Sequence, residues 1–195
     1  MTGTAQKHFN SGNVFGRVLE VEKKVSEGRK DFLSLKVNVS GSRSGSVHAY
    51  CRIWGAEACV DFLAAHRTSP GAAFYMRGFY GQYKNERNEW LSNFTVFSFE
   101  VRETVDPRAV FILRGLVDIA SGTKDGGQRL LLKVKRPENP EEVFELWCGG
   151  ELLLDEVRPG QFIEAKGYVR QAETEDEFGG SSGPIRAHVH QLRVL

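Results

Sequence analysis

The strongest constraint on the fold of this chain is that it repeats itself. Pro70-Gly71 leads to Arg77-Gly78, and Pro159-Gly160 leads over the same separation to Lys166-Gly167. In the same order, Gly16-Arg17-Val18 has its echo in Gly115-Leu116-Val117, Leu35-Lys36-Val37 in Leu132-Lys133-Val134, and Ile53-Trp54 in Leu146-Trp147. A chain of 195 residues buries either one large core or two small ones, and length does not choose between them. An ordered internal repeat does choose, because each copy is a structural unit in its own right.

In the first copy, residues 14–22, 31–39, 46–54, 72–80 and 89–101 alternate apolar and polar side chains and are separated by Gly, Ser and Asn clusters, the pattern of short strands. Between the third and fourth, residues 56–66 place Ala56, Val60 and Leu63, with Cys59 alongside, at helical spacing, which predicts a helix with one apolar face. Three strands, a helix and two strands is the order of an OB barrel. The fold class expected is therefore all-β with a short helix, as two tandem five-stranded OB barrels, residues 1–105 and 106–195. The break falls near Arg102 to Arg108, where Asp106-Pro107 interrupts the ladder. Residues 179–184, preceded by the acidic run 173–177, read as a flexible loop between the last two strands.

The formal charge of +1 conceals an asymmetry. Residues 1–105 hold 14 Lys+Arg against 10 Asp+Glu and residues 106–195 hold 12 against 15, so the halves carry +4 and −3 and the first is the one suited to phosphates. Cys51, Cys59 and Cys148 lack the paired spacing of a zinc site or a disulfide framework and read as reduced thiols. No apolar stretch approaches the ~20 residues of a membrane helix, and the first residues lack the apolar core of a signal peptide. A cytoplasmic protein is expected.

Assigning the apolar set of each strand to the core identifies what the other set shows to solvent. Leu33, Leu35, Val37 and Val39 point inward, leaving Phe32, Ser34, Lys36 and Asn38 outward. Val47, Ala49, Cys51 and Ile53 likewise leave His48, Tyr50, Arg52 and Trp54, and Phe74 and Met76 leave Tyr75, Arg77 and Phe79. Aromatic rings interleaved with cations suit a flexible polyanion with exposed bases, since rings stack on bases for ~1–3 kcal/mol each while Arg and Lys neutralise phosphate. A hairpin over residues 81–88, carrying Tyr83, Lys84 and Arg87, is placed to reach over such a strand, with Trp90 at its far base. The nucleic-acid-binding set expected is Phe32, Lys36, His48, Tyr50, Arg52, Trp54, Tyr75, Arg77, Phe79, Tyr83, Lys84, Arg87 and Trp90. In the second copy the corresponding strand shows Val143, Glu145 and Trp147, with the glutamate in the place of Arg52. That barrel is accordingly expected to serve oligomerisation or partner binding.

The stretch from Cys51-Arg52-Ile53-Trp54-Gly55-Ala56-Glu57-Ala58 to Pro70-Gly71-Ala72-Ala73-Phe74-Tyr75-Met76-Arg77-Gly78 resembles the bacterial single-stranded DNA-binding proteins, over roughly residues 12–101. Gln6-Lys7-His8-Phe9, Phe32-Leu33 and Cys51-Arg52 are also similar to small OB proteins of integrative and conjugative elements. The resemblance implies coating of single-stranded DNA largely without sequence specificity. It puts Trp54 at the family's base-stacking phenylalanine, His48 at a position usually held by a stacking tryptophan, Tyr83 near a hairpin tryptophan and Tyr75 on a tyrosine. It also implies four barrels per assembly, which two per chain reach as a homodimer. The chain stops at Arg193-Val194-Leu195 straight after a strand pattern, so the family's acidic C-terminal tip, which recruits repair proteins, is not expected. A role in replication, recombination or mobile-element transfer follows.

Two other readings fit the same residues. The aromatic face suits a protein interface in a primosome or conjugation assembly, and RNA satisfies stacking and phosphate contacts as DNA does. Catalysis is not expected, because no acids, bases or nucleophile converge and no Gly-x-x-x-x-Gly-Lys loop is present. His188-x-His190 puts two imidazoles on one strand face, but spacing indicates no third ligand, so neither a metal nor another cofactor is expected.

Overall fold

Alternation decides the architecture. In a computed structural model, which describes residues 7–25, 31–40, 47–103, 106–123, 126–136, 140–149, 152, 157–171 and 185–195, each apolar phase becomes the lining of a barrel. The first barrel comprises β1 (Phe9–Lys24), β2 (Phe32–Asn38), β3 (His48–Trp54), helix α1 (Ala56–Thr68), β4 (Ala73–Lys84) and β5 (Trp90–Arg102). The second comprises β6 (Arg108–Gly122), β7 (Gln128–Lys135), β8 (Glu141–Cys148), β9 (Phe162–Gln171) and β10 (Ile185–Val194). Each closes in the same way: β2 pairs with both β1 and β3, β3 runs parallel to β5, and β4 returns to β1, with β6 to β10 repeating the circuit. These are two tandem OB barrels. Gln6, Ser46 and the loop of residues 173–184 lie outside the described residues.

The repeat has a steric signature. A Cβ on Gly16 would meet the Asn38 carbonyl oxygen at 2.0 Å, and one on Gly115 that of Lys133 at 2.2 Å. Gly78 and Gly167 press in the same way on the carbonyls of Thr95 and His188. These four glycines superimpose the two barrels, and they correct two of the sequence echoes. Lys133 takes the place of Asn38, not of Lys36. Arg52 runs beside Thr95 as Trp147 runs beside His188, so Trp147 takes the place of Arg52, and Glu145 that of Tyr50. A slip of two residues leaves every side chain on its own face, so alternation could not reveal it.

Two element boundaries and one buried helix face also differ from expectation. β1 begins at Phe9 rather than Val14, because Asn10-Ser11-Gly12-Asn13, which reads as a turn, is a strand shared by both barrels. The Asn10 side chain there is buried, donates to the Tyr80 carbonyl at 2.7 Å and accepts from the Tyr80 amide at 3.0 Å. β4 continues through Gly81 to Lys84, and Gly81 lies so close to Asn93 that a Cβ would meet its Oδ1 at 2.5 Å. On α1 the buried side chain is Phe62, packed against Phe74 and Phe99, whereas Ala56 and Val60 are exposed and Cys59 and Leu63 half-buried. The helix turns its aromatic residue inward because Phe62 buries more apolar surface than the smaller side chains of the face read from spacing.

The barrels are joined by more than their linker. β1 and β6 pair antiparallel from Phe9↔Arg114 to Phe15↔Arg108, making one ten-stranded sheet. A pseudo-dyad crosses this seam: the Arg114 guanidinium lies over Phe9 at 5.5 Å and that of Arg108 over Phe15 at 4.8 Å. Beneath it Tyr80 stacks on Phe111 at 4.7 Å and on Phe144 at 5.7 Å, so the two cores are continuous. Burial pushes the Tyr80 phenol pKa far up, and its oxygen is hydrogen-bonded to Ser92 and Gln82.

Candidate nucleic-acid interface

β2 and β3 alternate as read: Leu33, Leu35, Val37, Ala49, Cys51 and Ile53 are buried, and the side chains between them face outward. Antiparallel pairing then sets Phe32 opposite Trp54, with ring centroids 4.4 Å apart. Arg52 is the centre of the cluster. Its guanidinium lies 5.7 Å from the Phe32 ring and 5.5 Å from that of Tyr83, which arrives on the extension of β4. A flat cation held between rings keeps its charge and gives up little hydration, which leaves it available to phosphate.

Along the same face, Lys36 stands opposite Tyr50, and Asn38 opposite His48. Lys36 donates to Glu20 at 2.9 Å, and that hydrogen bond together with the charge of Glu20 raises its pKa. Burial, then the charge of Lys36, lowers the pKa of His48, against a smaller opposing effect of Glu20. Tyr50 is exposed.

The turn of the hairpin is fixed by its own side chains. The Asn85 side chain accepts from the amides of Arg87 and Glu89 and donates to the Glu89 carboxylate, while Asn88 takes the positive φ of 62° that the turn requires. Because β4 runs on to Lys84, Trp90 pairs with Lys84 beside the turn; it stands near the tip, not at the far base expected. The Lys84 ammonium lies 5.1 Å from its ring centroid. Below, Gln82 donates to the Glu145 carbonyl at 3.0 Å and accepts from the Glu145 amide at 2.6 Å, which fixes the hairpin against the second barrel.

Tyr75, Arg77 and Phe79 point outward as expected but do not join this face. β5 separates β4 from β3, so their surface is the one at the seam. Tyr75 stacks on Phe15 at 4.4 Å, Arg77 lies over Tyr75 at 4.8 Å, and Phe79 packs between Phe97 and Arg136. The two surfaces differ in charge as well as place. At the seam Arg77 pairs with Glu100, Arg108 with Asp106, Arg114 with Glu164, and Arg136 with Glu142. On the other face, Arg52, Lys84 and Arg87 have no carboxylate partner among the described residues.

Sequence reading missed one part of the surface. A groove of about 360 Å³ separates Lys84 and Trp90 on the hairpin from Arg129, Trp147 and Arg186 on the second barrel. The Arg186 guanidinium lies 3.9 Å from the Trp147 ring centroid, the tightest of the cation–ring pairs among the described residues. The neighbours of Trp147 come from β10, far along the chain, and no local pattern announces such a pairing. Among the described residues no three His, Cys, Asp or Glu side chains are grouped to hold a metal ion, and no helix is long and apolar enough to cross a membrane.

A closed pair of five-stranded barrels sharing one sheet, with aromatic rings and unpaired cations on an open face, belongs to the tandem OB architecture. In the wild-type single-stranded DNA-binding protein from Thermus aquaticus the same architecture covers 97% of this chain and 94% of that one, with a TM-score of 0.66 and 16% identity. A deletion mutant of that protein gives a TM-score of 0.69 at 15% identity, over 97% of this chain and 95% of the other. At such identity the likeness is one of fold, and it runs nearly the full length, beyond roughly residues 12–101, over which the resemblance was read from the sequence. No family model matches the chain, nor does any curated protein.

Proposed function

We propose that this protein binds single-stranded DNA, coating it largely without sequence specificity, with the first barrel as the principal binding unit. The observation that carries the reading is Arg52, a cation without a carboxylate partner among the described residues, set between Phe32 and Tyr83 beside Trp54. Rings at this spacing stack on unpaired bases, the cation answers the phosphate between them, and a duplex, whose bases are already stacked, offers the rings nothing. Lys36, His48 and Tyr50 extend the track along β2 and β3, and Lys84, Arg87 and Trp90 continue it on the hairpin. Tyr75, Arg77 and Phe79, on the surface at the seam, belong instead to contact between copies, in a homodimer that presents four barrels. The chemistry suits replication, recombination or mobile-element transfer in the cytoplasm, where single strands are exposed.

The test is a titration of intrinsic tryptophan fluorescence with oligo-dT, oligo-U and a DNA duplex at low and moderate salt. Quenching by oligo-dT that weakens with salt and little response to duplex are expected. Binding to none of the three, checked by gel shift, overturns the reading in favour of a protein-interaction module.

A further inference from the structure

The hairpin that carries Tyr83, Lys84 and Trp90 is a two-stranded ribbon. β3 meets β5 no nearer the turn than Asn93, so from Gln82↔Ser92 to Lys84↔Trp90 the strands of the hairpin pair with each other alone. Such a ribbon is marginal in water by itself, and its tilt has to be fixed from outside. Alternation puts Gln82 and Tyr83 on opposite faces of it. On one face the Tyr83 ring meets Arg52, whose guanidinium lies 5.5 Å from its centroid. On the other face Gln82 reaches the second barrel.

There β8 has an open edge. Its parallel pairing with β10 covers Trp147 and Cys148 and stops short of Glu145. The Gln82 amide stands in for the absent strand: it donates to the Glu145 carbonyl at 3.0 Å and accepts from the Glu145 amide at 2.6 Å, the two bonds a neighbouring strand would exchange. It also donates to the buried Tyr80 phenol at 2.7 Å, which is bonded in turn to Ser92 at 2.8 Å. Both donor hydrogens and the acceptor oxygen of the one side chain are thus used, and none of the contacts is an ion pair that salt could screen.

We infer that Gln82 is a positioning residue for the single-strand site: it uses the open edge of β8 to hold the hairpin at one tilt, so that Tyr83 stands beside Arg52 before any strand arrives. The inference rests on the proposed function, and it gives the second barrel a part in binding that requires no contact with DNA. A hairpin already held in place loses little freedom when a base stacks on it. A loose one has to be ordered at the moment of binding, and affinity falls by that amount.

The test combines amide hydrogen exchange of the free protein with oligo-dT titration, on the parent, Gln82→Met and Gln82→Glu. Gln82→Met fills a similar volume and removes all three hydrogen bonds. It is expected to speed exchange along the hairpin and at the Glu145 amide, and to weaken oligo-dT binding about tenfold with the salt slope unchanged, because no cation is lost. Gln82→Glu is the rescue. At about pH 8 its carboxylate faces the Glu145 carbonyl and a similar loss is expected. As pH falls to about 5 the acid takes up a proton, aided by burial and by the carbonyl it faces, and donates again, so affinity relative to the parent returns to within about twofold. Lys84 and Glu89 on the hairpin, and Arg129, Glu145 and Arg186 on the second barrel, line the same groove in parent and variant, so their effects cancel in that ratio. Unchanged exchange in Gln82→Met, faster exchange with parental affinity, or a Gln82→Glu variant that does not recover at low pH each overturns the positioning role and leaves the proposed function standing. A parent that does not bind oligo-dT overturns the proposed function and this inference with it.

Discussion

Arg52 and Trp54 sit two residues apart on one strand face, and under the proposed function they divide the labour of binding. Replacing Trp54 by Ala removes a stacking ring and is expected to cost about 1–3 kcal/mol of oligo-dT affinity, with the salt slope unchanged, as read by fluorescence titration. Replacing Arg52 by Ala is expected chiefly to flatten the salt slope, whereas Arg52→Lys keeps the slope and loses the planar contact with Phe32 and Tyr83. His188 makes a different prediction. Burial first, then the charges of Arg170 and Arg186, lower its pKa from 6.5 to about 4. The unfolded chain therefore binds the proton more readily than the folded one, and stability is full above pH 6.5 and declines as pH falls toward 4. Thermal denaturation across that window should show the decline, and His188→Gln should reduce it. The outward set on β2 and β3 was legible in the sequence because alternation is a local property. The place of Tyr75, Arg77 and Phe79 was not, since it depends on which strands lie between β4 and β3 around the barrel.

At the scale of elements, the close-packed glycines were visible as landmarks, but the reason for them was not. A Cβ on Gly78 would meet the backbone carbonyl oxygen of Thr95 at 2.0 Å, which no rotamer change can relieve. Gly78→Ala is expected to destabilise the protein by about 1–3 kcal/mol or more, and Gly167→Ala to do the same in the second barrel, measured by urea denaturation. Asn10→Ala removes both partners of the buried Tyr80 backbone and is expected to cost about 1–3 kcal/mol for each group left unsatisfied. Asn10-Ser11-Gly12-Asn13 shows where reading by propensity fails. These are turn formers in isolation, and they become strand here because β6 pairs with all four and β4 with Gly12 and Asn13 on the other side. The helix was found at the right place with the wrong side chain inward, because spacing alone weighs Val60 and Phe62 alike.

For the molecule as a whole, the shared sheet and the Tyr80–Phe111–Phe144 stack tie the barrels into one cooperative unit. Calorimetry should give a single transition, and Tyr80→Ala should lower the stability of both barrels together. Sedimentation is expected to give twice the chain mass of 21.8 kDa, and charge reversal of Arg77 and Arg108 at the seam surface should shift the protein toward monomer. The two-barrel plan was legible from the repeat, while the seam that unites the barrels was not, since nothing local marks β1 and β6 as partners.

That seam carries a further consequence. Two identical barrels about a true dyad look the same to a strand approaching from either side, and such a pair has no front or back. Here the axis exchanges Phe9 with Arg108 and Phe15 with Arg114, residues of opposite character, and it carries Arg52 onto Trp147. Fusing the halves into one chain frees each to change without the other. A single strand bound as proposed, which has its own 5′ and 3′ ends, would then meet a surface that has a direction too.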